Sequence, residues 1–122
     1  MTHGISLSAA ALIMLAAPAF AQGQCSAPLA PAMPNGKTAT LPQLNQAAKN
    51  AVAFIKASDN YQVCILDDIA SQDQQAKNHR KALDPAIRKA LEDKGDANQK
   101  EKERVGKEYG LAAAAYKVAH PK

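Results

Sequence analysis

The chain has 122 residues, 47% of them hydrophobic, and a formal net charge of +4. It contains no tryptophan and only 4% aromatic residues, so few large side chains are available to fill a globular core. This length supports one small domain, and the modest charge excess does not indicate a nucleic-acid-binding protein.

Residues 1–21 have the features of a cleavable export signal. An apolar run over residues 5–17 is too short to span a bilayer, and it ends in Pro18-Ala19-Phe20-Ala21, a small-x-small cleavage pattern. No Lys, Arg, Asp or Glu occurs before Lys37, which disfavours an amphipathic N-terminal helix of the folded domain. We expect the mature protein to begin near Gln22 and to have no transmembrane segment.

Export changes how the two cysteines are interpreted. Cys25 and Cys64 lie 39 residues apart, and two cysteines in an oxidising compartment most simply form one disulfide. Lipidation of Cys25 is the alternative, but lipidation requires an aliphatic residue and small residues before the cysteine, and Gln22-Gly23-Gln24 has no aliphatic residue and only one small one. We predict a structural disulfide that pins the N-terminal region to the middle of the chain.

Residues 22–41 are predicted to form a proline-rich, extended arm. Proline pushes the residue before it toward extended backbone, and Asn35-Gly36 favours a tight turn. A helix is therefore not expected here. The prolines are Pro28, Pro31, Pro34 and, just beyond the arm, Pro42.

Residues 42–122 are predicted to form a helical hairpin. Thr40 is suited to cap the first helix, with Pro42 in its first turn. Leu83-Asp84-Pro85 ends or kinks this helix, and Asp84 is suited to cap the helix that follows. The apolar spacing has a gap at Ser58-Asp59-Asn60, which indicates a local weak point. The two apolar stripes are Leu44, Ala48, Ala51, Ile55, Ile65, Ile69 and Ala76, and Ala47, Phe54, Tyr61 and Cys64.

The second helix is predicted from Pro85 to about Ala119. Its middle is polar and Gly95 is a poor helix former, so a break near Lys94-Gly95-Asp96, which would create a third short helix, is the main alternative. A short connection favours antiparallel neighbours. The predicted fold class is all-α, a long antiparallel helical hairpin with the arm folded along the first helix.

Two surface patterns are candidates for contacts. Gly106, Gly110 and Ala114 repeat every four residues, a small-residue ridge that we expect to pack closely on the first helix; a homodimer contact is the alternative. A basic knob at the hairpin tip is interpreted as a solvated face, with weak attraction to anionic membranes as the alternative. The knob comprises Lys77, His79, Arg80, Lys81, Arg88 and Lys89.

No motif in the sequence predicts catalysis or metal binding. His79 and His120 have no partner at ligand spacing, and the adjacent Asp67 and Asp68 point in different directions on a helix. We expect no catalytic residues, no metal and no cofactor.

Several segments of the chain form a recognisable combination. They are Cys25–Pro28, Ser58–Cys64 and Asn98–Val105, and the last is followed by Tyr109 and Ala115-Tyr116-Lys117. Together they resemble small uncharacterised exported proteobacterial proteins that have a helical hairpin and an N-terminal arm disulfide. The resemblance implies a Gram-negative periplasm and brings no activity with it. It also indicates that the polar middle of the second helix matters, because Asn98 and Lys102 could meet Asp59 or Tyr61 across the hairpin.

These patterns favour a non-catalytic interaction protein, an accessory subunit or adaptor of a larger periplasmic or membrane-associated complex. A small, alanine-rich core leaves surface that a protein partner could cover. The alternative is a periplasmic chaperone-like or ligand-binding stress module that uses the concave side of the hairpin. A nucleic-acid partner is not expected, since arginines are not interleaved with aromatic residues.

Overall fold

The computed structural model describes residues 25–122, which form two long helices. Helix α1 spans Leu41–Asn78 and α2 spans Pro85–Ala119. These described residues contain no strand, and the two helices pack against each other, so the predicted all-α hairpin is confirmed. The predicted export signal, residues 1–21, lies outside the described part of the chain.

Local side chains set the start of each helix. The Thr40 hydroxyl accepts a hydrogen bond from the Gln43 N–H at 3.3 Å, and the Gln43 side chain accepts one from the Thr40 N–H at 2.9 Å. This reciprocal capping box satisfies donors that the first helical turn leaves free. The Asp84 carboxylate accepts from the Ala86 N–H at 2.8 Å, with Pro85 in the first position of α2. Both predicted N-caps are confirmed.

The helices pack through a repeat of about 3.5 residues. Buried positions on α1 follow steps of three and four, and buried positions on α2 recur every seven residues. This heptad spacing keeps two helices in contact along their length. The buried seam consists of Leu44, Ala47, Ala51, Phe54, Ser58, Tyr61, Ile65 and Ile69 on α1 and Leu91, Asn98, Val105 and Ala112 on α2.

Both helices are continuous. Helix α1 continues through the gap in the apolar spacing, where Ser58 is fully buried in the seam, and a weak point there stays a prediction. The alternative with a third helix is wrong, because α2 is continuous across Gly95. Leu91 and Asn98, on either side of that glycine, are both buried, and their packing outweighs the poor helix propensity of a single residue.

Two cross-helix ion pairs show the antiparallel register. Asp73 of α1 pairs with Arg88 of α2 at 2.6 Å, and Asp59 pairs with Lys102. A step of 14 residues back along α1, from Asp73 to Asp59, corresponds to a step of 14 residues forward along α2. The two helices therefore run in opposite directions without a slip in register.

The predicted disulfide between Cys25 and Cys64 is confirmed. Their Cα atoms are 5.7 Å apart, within the usual range for a disulfide. The bond anchors the start of the arm in the C-terminal half of α1, while Thr40 at its other end begins the same helix. The arm is thus tethered at both ends.

The arm runs along α1, which confirms the prediction, and it also contacts α2. Cys25 packs on an apolar cluster that includes Leu91 of α2, and Met33 packs on a second cluster that includes Val105 of α2. At Gly36 the arm is so close to α2 that a Cβ atom would overlap the Ala112 carbonyl group. The arm therefore covers the groove between the helices from the middle of the hairpin toward its open end.

Candidate interaction surfaces

The predicted polar cluster forms a layer inside the hairpin. The Asn98 side-chain amide donates to the Ser58 hydroxyl at 3.1 Å, and its oxygen accepts from the Gln62 amide at 2.9 Å. At the edge of this layer Lys102 forms its ion pair with Asp59. The structure thus brings Asn98, Lys102 and Asp59 to one level of the hairpin.

Tyr61, the fourth residue predicted for this cluster, belongs to the apolar core. It is buried with Ile65, Ile69 and Leu91, and Cys25 packs on the same group. The polar residue that the sequence analysis missed is Ser58, which lies seven residues after Ala51 in the buried repeat. That heptad spacing is the signal that could have placed Ser58 inward.

The polar layer is satisfied within the chain. Among residues 25–122 no buried side-chain nitrogen or oxygen lacks a hydrogen-bond partner. Because Asn98 can bond both Ser58 and Gln62 only at one register, the layer penalises any slip of α2 along α1. The polar layer is therefore a structural element that favours one alignment of α2 along α1.

The ridge of Gly106, Gly110 and Ala114 does not face α1, so the expected contact within the chain is wrong. All three residues are exposed, and a Cβ atom added at either glycine would meet no atom within 4 Å. The reason is angular: Gly106 follows the seam residue Val105, and one residue rotates a helix by about 100°. The alternative of a homodimer contact through this ridge stays a prediction.

No protein-family model, curated protein or solved structure matches this chain. The surfaces and charges of the described residues are therefore the basis on which a function can be assigned.

The outer face of α1, defined by Val52, Val63 and Leu66, presents apolar side chains to solvent. These residues are 67%, 57% and 65% exposed. Spacings of eleven and three residues place them on the same side of the helix, outside the buried seam. Val63 and Leu66 are neighbours within one helical turn, whereas Val52 lies about 16 Å farther along the helix. The exposed side chains of Lys56 and Asp59 lie between Val52 and Val63. Exposed apolar residues bordered by charged ones are a candidate protein contact surface.

Nine of the 26 Lys, Arg, Asp and Glu side chains lie in ion pairs. The hydrogen bond from Asp73 raises the pKa of Arg88, and the one from Asp93 raises the pKa of Lys89. Arg104 lowers the pKa of Glu101 through its hydrogen bond. Within residues 25–122 no group of three or more His, Cys, Asp or Glu side chains could hold a metal ion, and neither helix is long and apolar enough to cross a membrane.

The structure places the basic knob around the connection between the helices. Arg88 and Lys89 are engaged by Asp73 and Asp93. The other basic residues of the knob, Lys77, His79, Arg80 and Lys81, make no ion pair with any residue of the described chain. The knob is therefore divided into a paired part on α2 and an unpaired part at the end of α1.

Proposed function

We propose that this protein is a non-catalytic interaction protein of the periplasm, an accessory subunit or adaptor of a larger periplasmic or membrane-associated complex. The observation that carries the proposal is the outer face of α1, where Val52, Val63 and Leu66 are exposed on a rigid helix. The fold does not use these side chains, because the seam, the arm and the disulfide fill the interior without them.

Burial of this face would contribute usefully to binding. Removing three half-exposed aliphatic side chains from water contributes about 3–5 kcal/mol in total. The helix that carries them is held by the disulfide and by the seam, so little conformational entropy is lost when a partner binds. A preorganised strip of this kind favours a protein partner over a small ligand.

The proposed compartment rests on two features. The leader has the pattern of a cleavable signal, and the Cys25–Cys64 disulfide requires oxidising conditions to form and persist. Together with the resemblance to exported proteobacterial proteins, they favour the Gram-negative periplasm.

The proposal is tested by the assembly state of the protein in a native periplasmic extract. We expect the wild-type chain to elute in size-exclusion chromatography with light scattering as part of a discrete complex. Val63→Asn combined with Leu66→Gln should release it as a monomer without changing its melting temperature. The matched control is Leu29→Gln with Val118→Asn, two residues that are 94% and 82% exposed and lie elsewhere.

Two results would contradict the proposal. One is a wild-type protein that is strictly monomeric in the extract, with no partner in constant proportion. The other is equal loss of assembly in the outer-face variant and in its control, which would mean that general surface hydrophobicity, not this face, holds the complex together.

A second candidate function, a chaperone-like or ligand-binding stress module, is favoured by one observation. Beyond Cys25 the groove between the helices continues as a cavity of about 350 Å³ lined by residues that include Ile87, Ala90 and Leu91. This function predicts that the protein suppresses aggregation of a reduced client at near-stoichiometric ratios, and that Ile87→Ser weakens the effect. No suppression at large excess would eliminate it.

A further inference from the structure

The hairpin tip contains a cleft of about 450 Å³ between the end of α1 and the start of α2. Its polar lining comes from both helices and from the connection, residues 79–84. Four of the side chains that line it are cationic and one is a carboxylate, which leaves an excess of three positive charges. The charged lining consists of Lys77, Arg80, Lys81, Arg88 and Asp73.

The single carboxylate is already engaged. Both oxygens of Asp73 accept hydrogen bonds from the same Arg88 nitrogen at 2.6 Å, which holds the guanidinium against the wall of the cleft. Lys77, Arg80 and Lys81 make no ion pair with any residue between 25 and 122. Three cations therefore line one concave site without an ion-pair partner among the described residues.

The backbone at Arg80 is unusual in a way that supports a role for its side chain. Helix α1 ends at Asn78, earlier than the predicted end at Leu83, because Arg80 adopts a left-handed conformation with φ of 54°. Its N–H donates to the Lys77 carbonyl at 2.9 Å, and the N–H of Lys81 donates to the Ala76 carbonyl at 2.8 Å. Glycine is the favoured residue at this position of the C-terminal motif, because it adopts the left-handed conformation without strain. Arginine at position 80 therefore costs stability and places a cation at the cleft.

We propose that the tip cleft binds a phosphate-bearing anion through Lys77, Arg80 and Lys81. A guanidinium group donates in a fork that matches phosphate oxygens, and flanking ammonium groups add charge without demanding one geometry. Two sources present this chemistry, a free phosphate compound and the headgroup of an anionic phospholipid. The site lies at the tip of the hairpin, and the turn of the arm at Asn35 lies at the opposite, open end. The proposal does not depend on the proposed protein contact on α1.

Two probes separate these sources. The first is inorganic phosphate, added to the purified protein with its disulfide intact while the backbone amides are followed by NMR. The second is vesicles of phosphatidylcholine with phosphatidylglycerol, compared in a sedimentation assay with vesicles of phosphatidylcholine alone. A short DNA duplex serves as a third anion.

The test variant is Lys77→Gln, Arg80→Gly and Lys81→Gln. Glycine at position 80 suits the left-handed backbone, so the variant loses charge without a new conformational strain. The matched control is Lys49→Gln, Lys100→Gln and Lys107→Gln, which removes the same charge from exposed residues elsewhere. Each cation near an anionic surface contributes about fivefold to affinity, so we expect roughly 100-fold loss in the test variant. The control should lose less than about threefold, because distant surface charges are screened.

Binding of the wild type that falls with salt, and that depends on the tip residues and not on the control residues, supports the proposal. Changes in the amide chemical shifts of Lys77 to Lys81 on addition of inorganic phosphate assign the site to free phosphate. Binding confined to vesicles that contain phosphatidylglycerol assigns it to phospholipid headgroups. Binding to neither probe overturns it. Equal losses in both variants, or tighter binding to the DNA duplex than to either probe, also overturn it.

Discussion

The disulfide between Cys25 and Cys64 should contribute a large part of the stability of this small domain. The perturbation is Cys25→Ser with Cys64→Ser, which leaves no reactive thiol. The bond closes a loop with a sequence separation of 39, and in the chain-entropy model a loop of that length stabilises the fold by about 4 kcal/mol. Each kcal/mol shifts the midpoint of a domain this size by several degrees, so the melting temperature should fall by about 15–30 °C.

The structure adds a spatial consequence to this loss. Without the bond, the start of the arm keeps only the non-covalent contacts of position 25 with the cluster around Leu91, and we expect Met33 to cover Val105 less of the time. Thermal and urea unfolding followed by circular dichroism measure the loss, and reduction of the wild type should reproduce the variant's midpoint. A melting curve that is unchanged by the double substitution would refute the reasoning, because it would mean that the arm is not coupled to the hairpin.

Three further changes probe the fold. Gly36→Ala should lower the free energy of unfolding by about 1–3 kcal/mol, because its Cβ overlaps the α2 backbone; its control Gly110→Ala, which faces open space, should raise it by about 1 kcal/mol. Asn98→Ala should cost about 1–3 kcal/mol by leaving the buried Ser58 hydroxyl without its partner. Arg80→Gly should stabilise the protein by about 1 kcal/mol, because glycine relieves the left-handed strain.

Urea unfolding measures all of these changes. Equal effects of the two glycine substitutions would contradict the close approach of the arm to α2. A neutral Asn98→Ala would contradict the hydrogen-bonded layer, and adding Ser58→Ala to it should recover part of the loss. Destabilisation by Arg80→Gly would mean that the guanidinium, not the backbone, dominates the stability at that position.

The starts of the helices were predictable because they depend on neighbouring residues alone. A threonine followed three residues later by glutamine, and an aspartate before Pro85, carry the capping chemistry in the local sequence. The disulfide was predictable for a similar reason, since two cysteines allow one intramolecular pairing.

The inward faces were harder to predict, because the phase of a helix is set by its partner. The predicted stripe included Ala48 and Ile55, which are only half-buried, and omitted Ser58, which is fully buried. In a straight helix, residues seven positions apart are offset by about 20° around the helix axis. Over the length of α1 this offset accumulates, so that a residue expected on the inward face lies beside it and its neighbour lies inward. The prediction for Gly106 has a different origin, because it rests on small-residue spacing, which does not fix the side of α2 on which the ridge lies.

The tip cleft could not be predicted from the charges alone. Residues 73–93 contain ten basic or acidic residues, and only the structure separates those in ion pairs from those without one. Arg88 is engaged by Asp73 fifteen positions earlier, a pairing that exists only once the hairpin closes. The left-handed conformation of Arg80 has no sequence signal, because glycine is the residue that normally marks it.

The most direct test of the proposed function is site-specific photo-cross-linking in living cells that export the protein. A cross-linking amino acid replaces Val63 on the outer face of α1, or Leu29 on the arm as the control, both of which are exposed. We expect position 63 to yield one discrete cross-linked species in the periplasmic fraction and position 29 to yield none. No cross-link at position 63, or the same pattern from both positions, would contradict a dedicated protein contact on this face.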